Sequence, residues 1–351
     1  MSATTIVTTF ADCYTALLNR MRNTLGSATP STTNLNYSKG LINEANHDLH
    51  LQQNWPWSER DAILITHAKY STGQVSIAST SRTTLEGSDG LWNTAVSGMG
   101  FNNVRVGGKL TFSGDTEVYT VSAVSSDTAG TIDSRYIGNQ TTATAYALAN
   151  ASYTYFEDEY ALASDFWRLV DARMFSEAWE IPIVARQEFY RAYPRNSVPS
   201  TPRIATIIEL GPGTSTALRP RIVLAPPPDS VEQIPYRYIT SNLAVASDGT
   251  GAANLSGDTD EPIIPLRYRH VLVPYAAKKW FLYLKDDQRA QEADGEYVDL
   301  VRRMANDTFP ERDHPVFRTK RRRYVAALSG PFRAGGRSTR YSADSRFDEL
   351  R

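Results

Sequence analysis

The sequence predicts an α+β fold: helices from the two ends of the chain form one bundle, a small β-barrel or sandwich and a second antiparallel β segment are inserted between them, and an extended arm closes the chain. Three observations lead there. Apolar residues recur at helical spacing only near the ends, within residues 8–53 and 266–304. The long stretch between them alternates with a period of two and is punctuated by Gly, Pro, Asn and Asp. The last 34 residues combine a run of arginines with glycine and serine.

The first region, 1–59, holds two helices. In the first, over 8–25, Phe10, Tyr14, Leu17, Leu18 and Met21 share one face, with Thr8 or Thr9 as N-cap and Gly26 at the end. In the second, Ser38 is the expected cap and Leu41, Ile42, Ala45 and Leu49 the apolar stripe. It stops at Asn54-Trp55-Pro56-Trp57, because a proline cannot continue it. Region 60–157 reads as the inserted β domain, with six to eight short strands. Val104 and Val106, then Leu110 and Phe112, then Tyr119, Val121 and Ala123 alternate, separated by Gly107-Gly108 and Ser113-Gly114-Asp115. Further runs at 75–77, 131–132 and 146–148 complete the set.

Region 158–263 is mixed. Short strands and one short helix are expected to residue 190, then antiparallel strands at 204–210, 221–224 and 236–239 with proline-stiffened connections. Region 264–305 returns to helices. One spans 266–284, restarting near Pro274, with Leu272, Ala276, Trp280 and Tyr283 on one face. The next spans 286–304, with Ala290, Ala293, Tyr297, Leu300, Val301 and Met304. Residues 306–351 read as an extended basic arm.

Charge is divided unevenly. The 37 basic and 38 acidic residues leave a net charge of -1. Residues 318–351, however, hold ten basic and three acidic side chains, so +7 sits on the arm and -8 on the rest. Such a balance argues against a surface built wholly for nucleic acid or anionic lipid. No window is long and apolar enough to span a membrane, and the start lacks the pattern of a secretory signal, so assembly in a cytoplasm is expected.

Little in the sequence points to catalysis. The single cysteine, Cys13, and five scattered histidines give no metal framework. The acidic groups Asp158/Glu159/Asp165 and Asp258/Asp260/Glu261 lack the calcium-loop spacing and read as solvated loops. His47 and His50 lie three apart on one helical face without a third ligand. No nucleophile elbow, zinc-protease, phosphate-loop or dinucleotide motif stands in its required context. The expectation is a protein that is not an enzyme and needs no metal or cofactor. Trp55-Pro56-Trp57 reads as the seal at the end of a helix bundle rather than as an exposed sugar platform. The arm differs from an ordinary solvated terminus because Tyr324, Phe332, Tyr341 and Phe347 are interleaved with its arginines. That pattern suits a segment that orders along a protein partner better than a free tail or a nucleic-acid arm.

Several stretches together resemble the head-to-tail adaptor (head completion, connector) proteins of tailed bacteriophages. They are Asn54-Trp55-Pro56-Trp57, 112–115 with 119–121, 158–166, 225–229 followed by Tyr236-Arg237-Tyr238, and 264–272. The resemblance implies a structural virion protein of the neck: a ring subunit, usually in twelve copies, that joins the portal protein to a tail or nozzle protein. It further implies that double-stranded DNA passes through the lumen without sequence-specific binding. An acidic body suits such a conduit, since it repels the duplex. On this reading the arm docks on the portal through Arg321, Arg322, Arg323, Tyr324, Phe332, Arg337, Tyr341 and Phe347. The insert departs from the shortest family members. A phage tail-associated carbohydrate- or cell-surface-binding module is the alternative, and a cell-wall hydrolase a third.

Overall fold

A computed structural model describes residues 7–25, 31–96, 98–138, 147–174, 176, 179–208 and 219–309. The chain divides into two compact units, Met1–Leu300 and Val301–Arg351. Of the second, only the closing turns of the last helix and Phe309 are described.

The first unit opens with helices α1 (Phe10–Leu25) and α2 (Thr32–Gln52) and a 3-10 turn, Pro56–Ser58. Strands β1 (Glu59–Ile65), β2 (Gln74–Ile77), β3 (Thr84–Ser88), β4 (Lys109–Phe112), β5 (Tyr119–Val124), β6 (Ala129–Ile132), β7 (Leu148–Ala151) and β8 (Tyr153–Phe156) follow. Next come β9 (Glu159–Ala161), β10 (Phe166–Met174), β11 (Trp179–Glu180), α3 (Arg186–Ala192), β12 (Ile204–Ile208), β13 (Arg221–Ala225) and β14 (Gln233–Thr240). The short β15 (Ala244–Val245), β16 (Gly251–Ala252) and β17 (Glu261–Pro262) lead through a 3-10 turn, Leu266–Val271, into α4 (Leu272–Tyr283) and α5 (Asp287–Thr308). The fold class is α+β.

Helix α1 starts where the sequence asks it to. Asp12 accepts the backbone N–H groups of Thr8 (3.0 Å) and Thr9 (2.9 Å), and Thr9 Oγ1 accepts from Asp12 N (3.3 Å). The bond from the Thr9 N–H does most to hold the Asp12 carboxyl below its ordinary range. Helix α2 starts earlier than expected: Ser31 is the N-cap and accepts from Asn34 N (3.2 Å). Ser38 lies inside the helix and donates to the Leu35 carbonyl (2.7 Å). The Thr-Thr-Asn-Leu-Asn run between them is a poor helix former, and burial of Leu41, Ile42, Ala45 and Leu49 carries it into the helix.

Helix α1 contacts α2 and α4, and α2 contacts α4. The start of α5 joins them: Gln52 donates to the Tyr297 hydroxyl (2.7 Å), the Tyr275 and Tyr297 rings lie 5.0 Å apart, and Arg20 pairs with Glu296 (2.7 Å).

Among the described residues the strands form four sheets. Strands β7-β2-β3-β6-β5-β4-β8 make one of seven. One face of its strands gathers Val75, Ile77, Leu85, Leu110, Phe112, Tyr119, Val121, Ile132, Tyr153 and Tyr155 around Trp92. Trp92 donates to the Tyr153 hydroxyl (2.7 Å), which donates to the Thr72 carbonyl (2.6 Å). Only Ser152 separates β7 from β8, yet β7 pairs with β2 and β8 with β4. The two ends of the strand order are therefore consecutive in the chain, and the sheet curls back on itself.

Two expectations for this region are corrected. The seven-stranded sheet begins at β2, not at residue 60, because β1 pairs antiparallel with β14, with Ala62 opposite Tyr236 and Ile63 opposite Pro235. Val104 and Val106 are in no strand. They lie just before and at the start of a turn in which Gly107 has φ +92; Val104 is buried and Val106 is 65% exposed.

A second sheet runs β1-β14-β10-β11 and a third β12-β13-β9. They share one apolar core, which includes Leu64, Leu162, Phe166, Met174, Leu224, Ile234, Tyr236 and Tyr238. The small sheet β16-β15-β17 completes the set.

Candidate functional site

Two nodes hold the helices, the sheets and the insert together. The first is built on the turn after α2. Pro56 ends the helix and sets the turn, which stacks Trp55 on Trp57 with centroids 4.7 Å apart. Trp55 Nε1 donates to the Leu49 carbonyl (2.8 Å), and Trp57 Nε1 donates to His50 Nε2 (3.2 Å). The indole can only donate, so His50 Nε2 is the acceptor, and its Nδ1 proton goes to the Asn46 carbonyl (2.7 Å). His50 is buried and its pKa is lowered, chiefly by desolvation. On the other side Trp57 meets Tyr268, while Arg168 of β10 donates to the Asn54 side chain.

The second node lies where the insert leaves the body. Glu157 and Asp158 are buried at the end of β8. Arg105 holds Glu157 through Nε (2.8 Å) and a second nitrogen, and the Tyr155 hydroxyl donates to the same carboxylate (2.5 Å). Lys109 of β4 pairs with Asp158 (2.6 Å) and approaches Glu159 (3.7 Å), which also faces Arg221 of β13 (3.7 Å). Burial pushes the Asp158 carboxyl up, and Lys109 works against that rise. A cleft of about 320 Å³ opens beside Arg105, Glu157, Tyr160 and Arg221. The cluster can clamp two cationic stems of the insert onto carboxylates of the body.

The acidic groups singled out in the sequence do not assemble. Asp158 and Glu159 belong to the second node, whereas Asp165 accepts the hydroxyls of Tyr238 (2.7 Å) and Thr240 (2.7 Å) on β14. Asp258 pairs with Lys39 (2.6 Å), Glu261 with Arg269 (2.9 Å), and Asp260 caps its own loop through Ser256 N (2.8 Å) and Gly257 N (2.7 Å). His47 stays largely exposed, so it does not pair with the buried His50. Among the described residues no group of three or more His, Cys, Asp or Glu is placed to hold a metal ion, and no helix is long and apolar enough to cross a membrane. The eight expected docking residues, Arg321, Arg322, Arg323, Tyr324, Phe332, Arg337, Tyr341 and Phe347, lie outside the described residues.

Sequence reasoning missed Arg105, Lys109 and Tyr155. The available signal was the alternation Tyr153, Tyr155, Glu157, which places a carboxylate on the aromatic, core-facing side of a strand. Comparison with protein-family models and with curated proteins finds no match.

Proposed function

We propose that the protein is a head-to-tail adaptor of a tailed phage, a ring subunit between the portal protein and a tail or nozzle protein. Helices from both chain ends form its bundle, and its acidic body lines the DNA channel. One observation supports this reading most: stretches that carry the resemblance, one pair of them more than 200 residues apart in sequence, lie against one another. Trp57 meets Tyr268, with ring centroids 6.3 Å apart. Phe166 stacks on Tyr238 at 5.7 Å, while Asp165 accepts the Tyr238 hydroxyl. Leu224, beside Ala225-Pro226, donates its N–H to the Asp158 carbonyl (2.8 Å).

The test is reconstitution with the portal protein encoded by the same genome, read by mass photometry and electron microscopy. The expected result is a ring of adaptor, about twelve copies, on one face of the portal. Failure to associate, together with specific retention on a glycan array, would replace this reading with the carbohydrate-binding one.

A further inference from the structure

Strand β1 ends the order β1-β14-β10-β11, so among the described residues one of its edges has no strand beside it. The register tells which groups face that edge. Thr66, just past β1, donates its backbone N–H to the Glu232 carbonyl (3.0 Å), and Ile65 lies opposite Gln233. Antiparallel bonds alternate along a strand. The N–H and C=O groups of Arg60, Ala62 and Leu64 therefore face β14, and those of Asp61, Ile63 and Ile65 face away from it. Among the described residues no backbone group pairs with these outward groups. On that course Asp61 is exposed and the two apolar side chains are open, with Ile63 62% and Ile65 43% exposed.

Native edges are usually blunted by lysine, proline, a bulge or a covering segment. The nearest proline, Pro235, is on β14 and directs its missing N–H toward β10, where pairing stops at Ala172 opposite Tyr236. Clefts of about 320 Å³ beside Leu64 and Ile65, and of about 450 Å³ over Ile63, Pro235 and Arg237, leave room along the edge and its outer face.

The cross-strand rows state what would fit. One row reads Asp61, Arg237, Asp171 across three strands, alternating in sign. Arg237 is committed to Asp171 through Nε (3.0 Å) and Nη2 (2.6 Å), and Asp61 has no ion pair among the described residues. The next position outward calls for a cation. The following row reads Ile63, Pro235, and the next place outward from Ile63 and from Ile65 calls for apolar, β-branched side chains.

We propose that the free edge of β1 is a strand-addition site for an extended segment of a partner protein, one that carries a lysine or arginine followed or preceded at alternate positions by two β-branched apolar residues. Main-chain bonds to Asp61, Ile63 and Ile65 supply affinity, and the charge and apolar rows set register. The proposal does not rest on the adaptor reading.

The test uses the full chain and two fluorescein-labelled peptides, one containing Lys-Thr-Val-Thr-Val and one with the reversed order, titrated by anisotropy. One of them is expected to bind, and on binding the amides of Asp61, Ile63 and Ile65 should gain protection from hydrogen exchange while Ala62 and Leu64 change little. Ile63→Pro deletes only an outward N–H, which an edge strand tolerates, and should weaken binding by about tenfold or more with little change in unfolding midpoint. If that variant fails to fold, Ile63→Lys keeps the backbone and should still weaken binding. Asp61→Lys should weaken binding too, and a peptide with glutamate in place of lysine should restore it. Failure of both peptides to bind, or equal binding by wild type and Ile63→Pro, overturns the proposal. So does dimerisation of the chain alone that Ile63→Pro abolishes, since the occupant would then be a second copy.

Discussion

The tautomer of His50 is fixed from both sides, by a carbonyl at Nδ1 and an indole donor at Nε2. Protonating Nε2 would set two N–H groups against each other in a buried space, while His47 adds repulsion. The folded pKa lies below the ordinary 6.5, so the neutral ring's contribution is complete above that value and is lost as pH falls toward the folded pKa. Urea unfolding should show wild-type stability declining as pH falls from about 6.5 toward the lowered folded pKa, with His50→Gln flattening the decline. A wild-type stability that does not change across that window would dismiss the argument. Close packing makes an equally local prediction at Gly108. A Cβ there would stand 2.2 Å from the Tyr155 hydroxyl and 2.3 Å from its ring, which is buried and tied to Glu157 and to Arg105 N (3.0 Å). Gly108→Ala should cost about 2 kcal/mol in denaturant unfolding. A neutral result would mean that the ring moves freely.

At the scale of elements, the ion pairs of the second node decide how the insert is held. Lys109 reaches from β4 to the buried Asp158, so Lys109→Met leaves a buried carboxylate without its cation and should destabilise the protein by about 3 kcal/mol. Replacing both residues by apolar ones of similar volume should recover most of that loss, as judged by the same unfolding midpoint. Elements also show where the sequence was readable. The helices were legible because Phe10, Leu17 and Met21, or Ala290, Ala293 and Tyr297, repeat with the helical period and are in fact buried. The start of α2 was not, since its cap at Ser31 precedes a run whose intrinsic preference is not helical and whose fate depends on packing further along. The partner of β1 was hidden for another reason. Residues 60–65 open the region read as the inserted β domain, and nothing local reveals their pairing with β14, more than 160 residues away. The charged node was half legible: Asp158 and Glu159 were noted as part of a loop cluster, and its cations Arg105, Lys109 and Arg221 come from a loop and two strands whose positions depend on how the sheets are arranged.

For the whole molecule, the charge division between body and arm makes a prediction about assembly. Truncation after Thr319 removes nine of the ten basic residues of 318–351 and all four interleaved aromatics. If the chain is the adaptor proposed above, the truncated form should keep its unfolding midpoint and fail to join the portal in mass photometry. Double substitution of Phe332 and Phe347 by alanine should weaken the attachment at high salt more than loss of one arginine does, because buried apolar contacts are not screened. Undiminished assembly by the truncated chain would overturn the docking role of the arm.

The bridge between Tyr70 and Tyr155 bears on how this architecture can change over time. Tyr70 N donates to the Tyr155 carbonyl (2.9 Å) and Tyr155 N to the Tyr70 carbonyl (2.7 Å), so the points where the chain enters and leaves the curled sheet are hydrogen-bonded to each other. Everything between them is a cassette with its terminals side by side. Its outer turns can lengthen without moving the strands that flank it so long as Arg105 and Lys109 stay on Glu157 and Asp158, and descendants of one scaffold are free to differ in length at this single address.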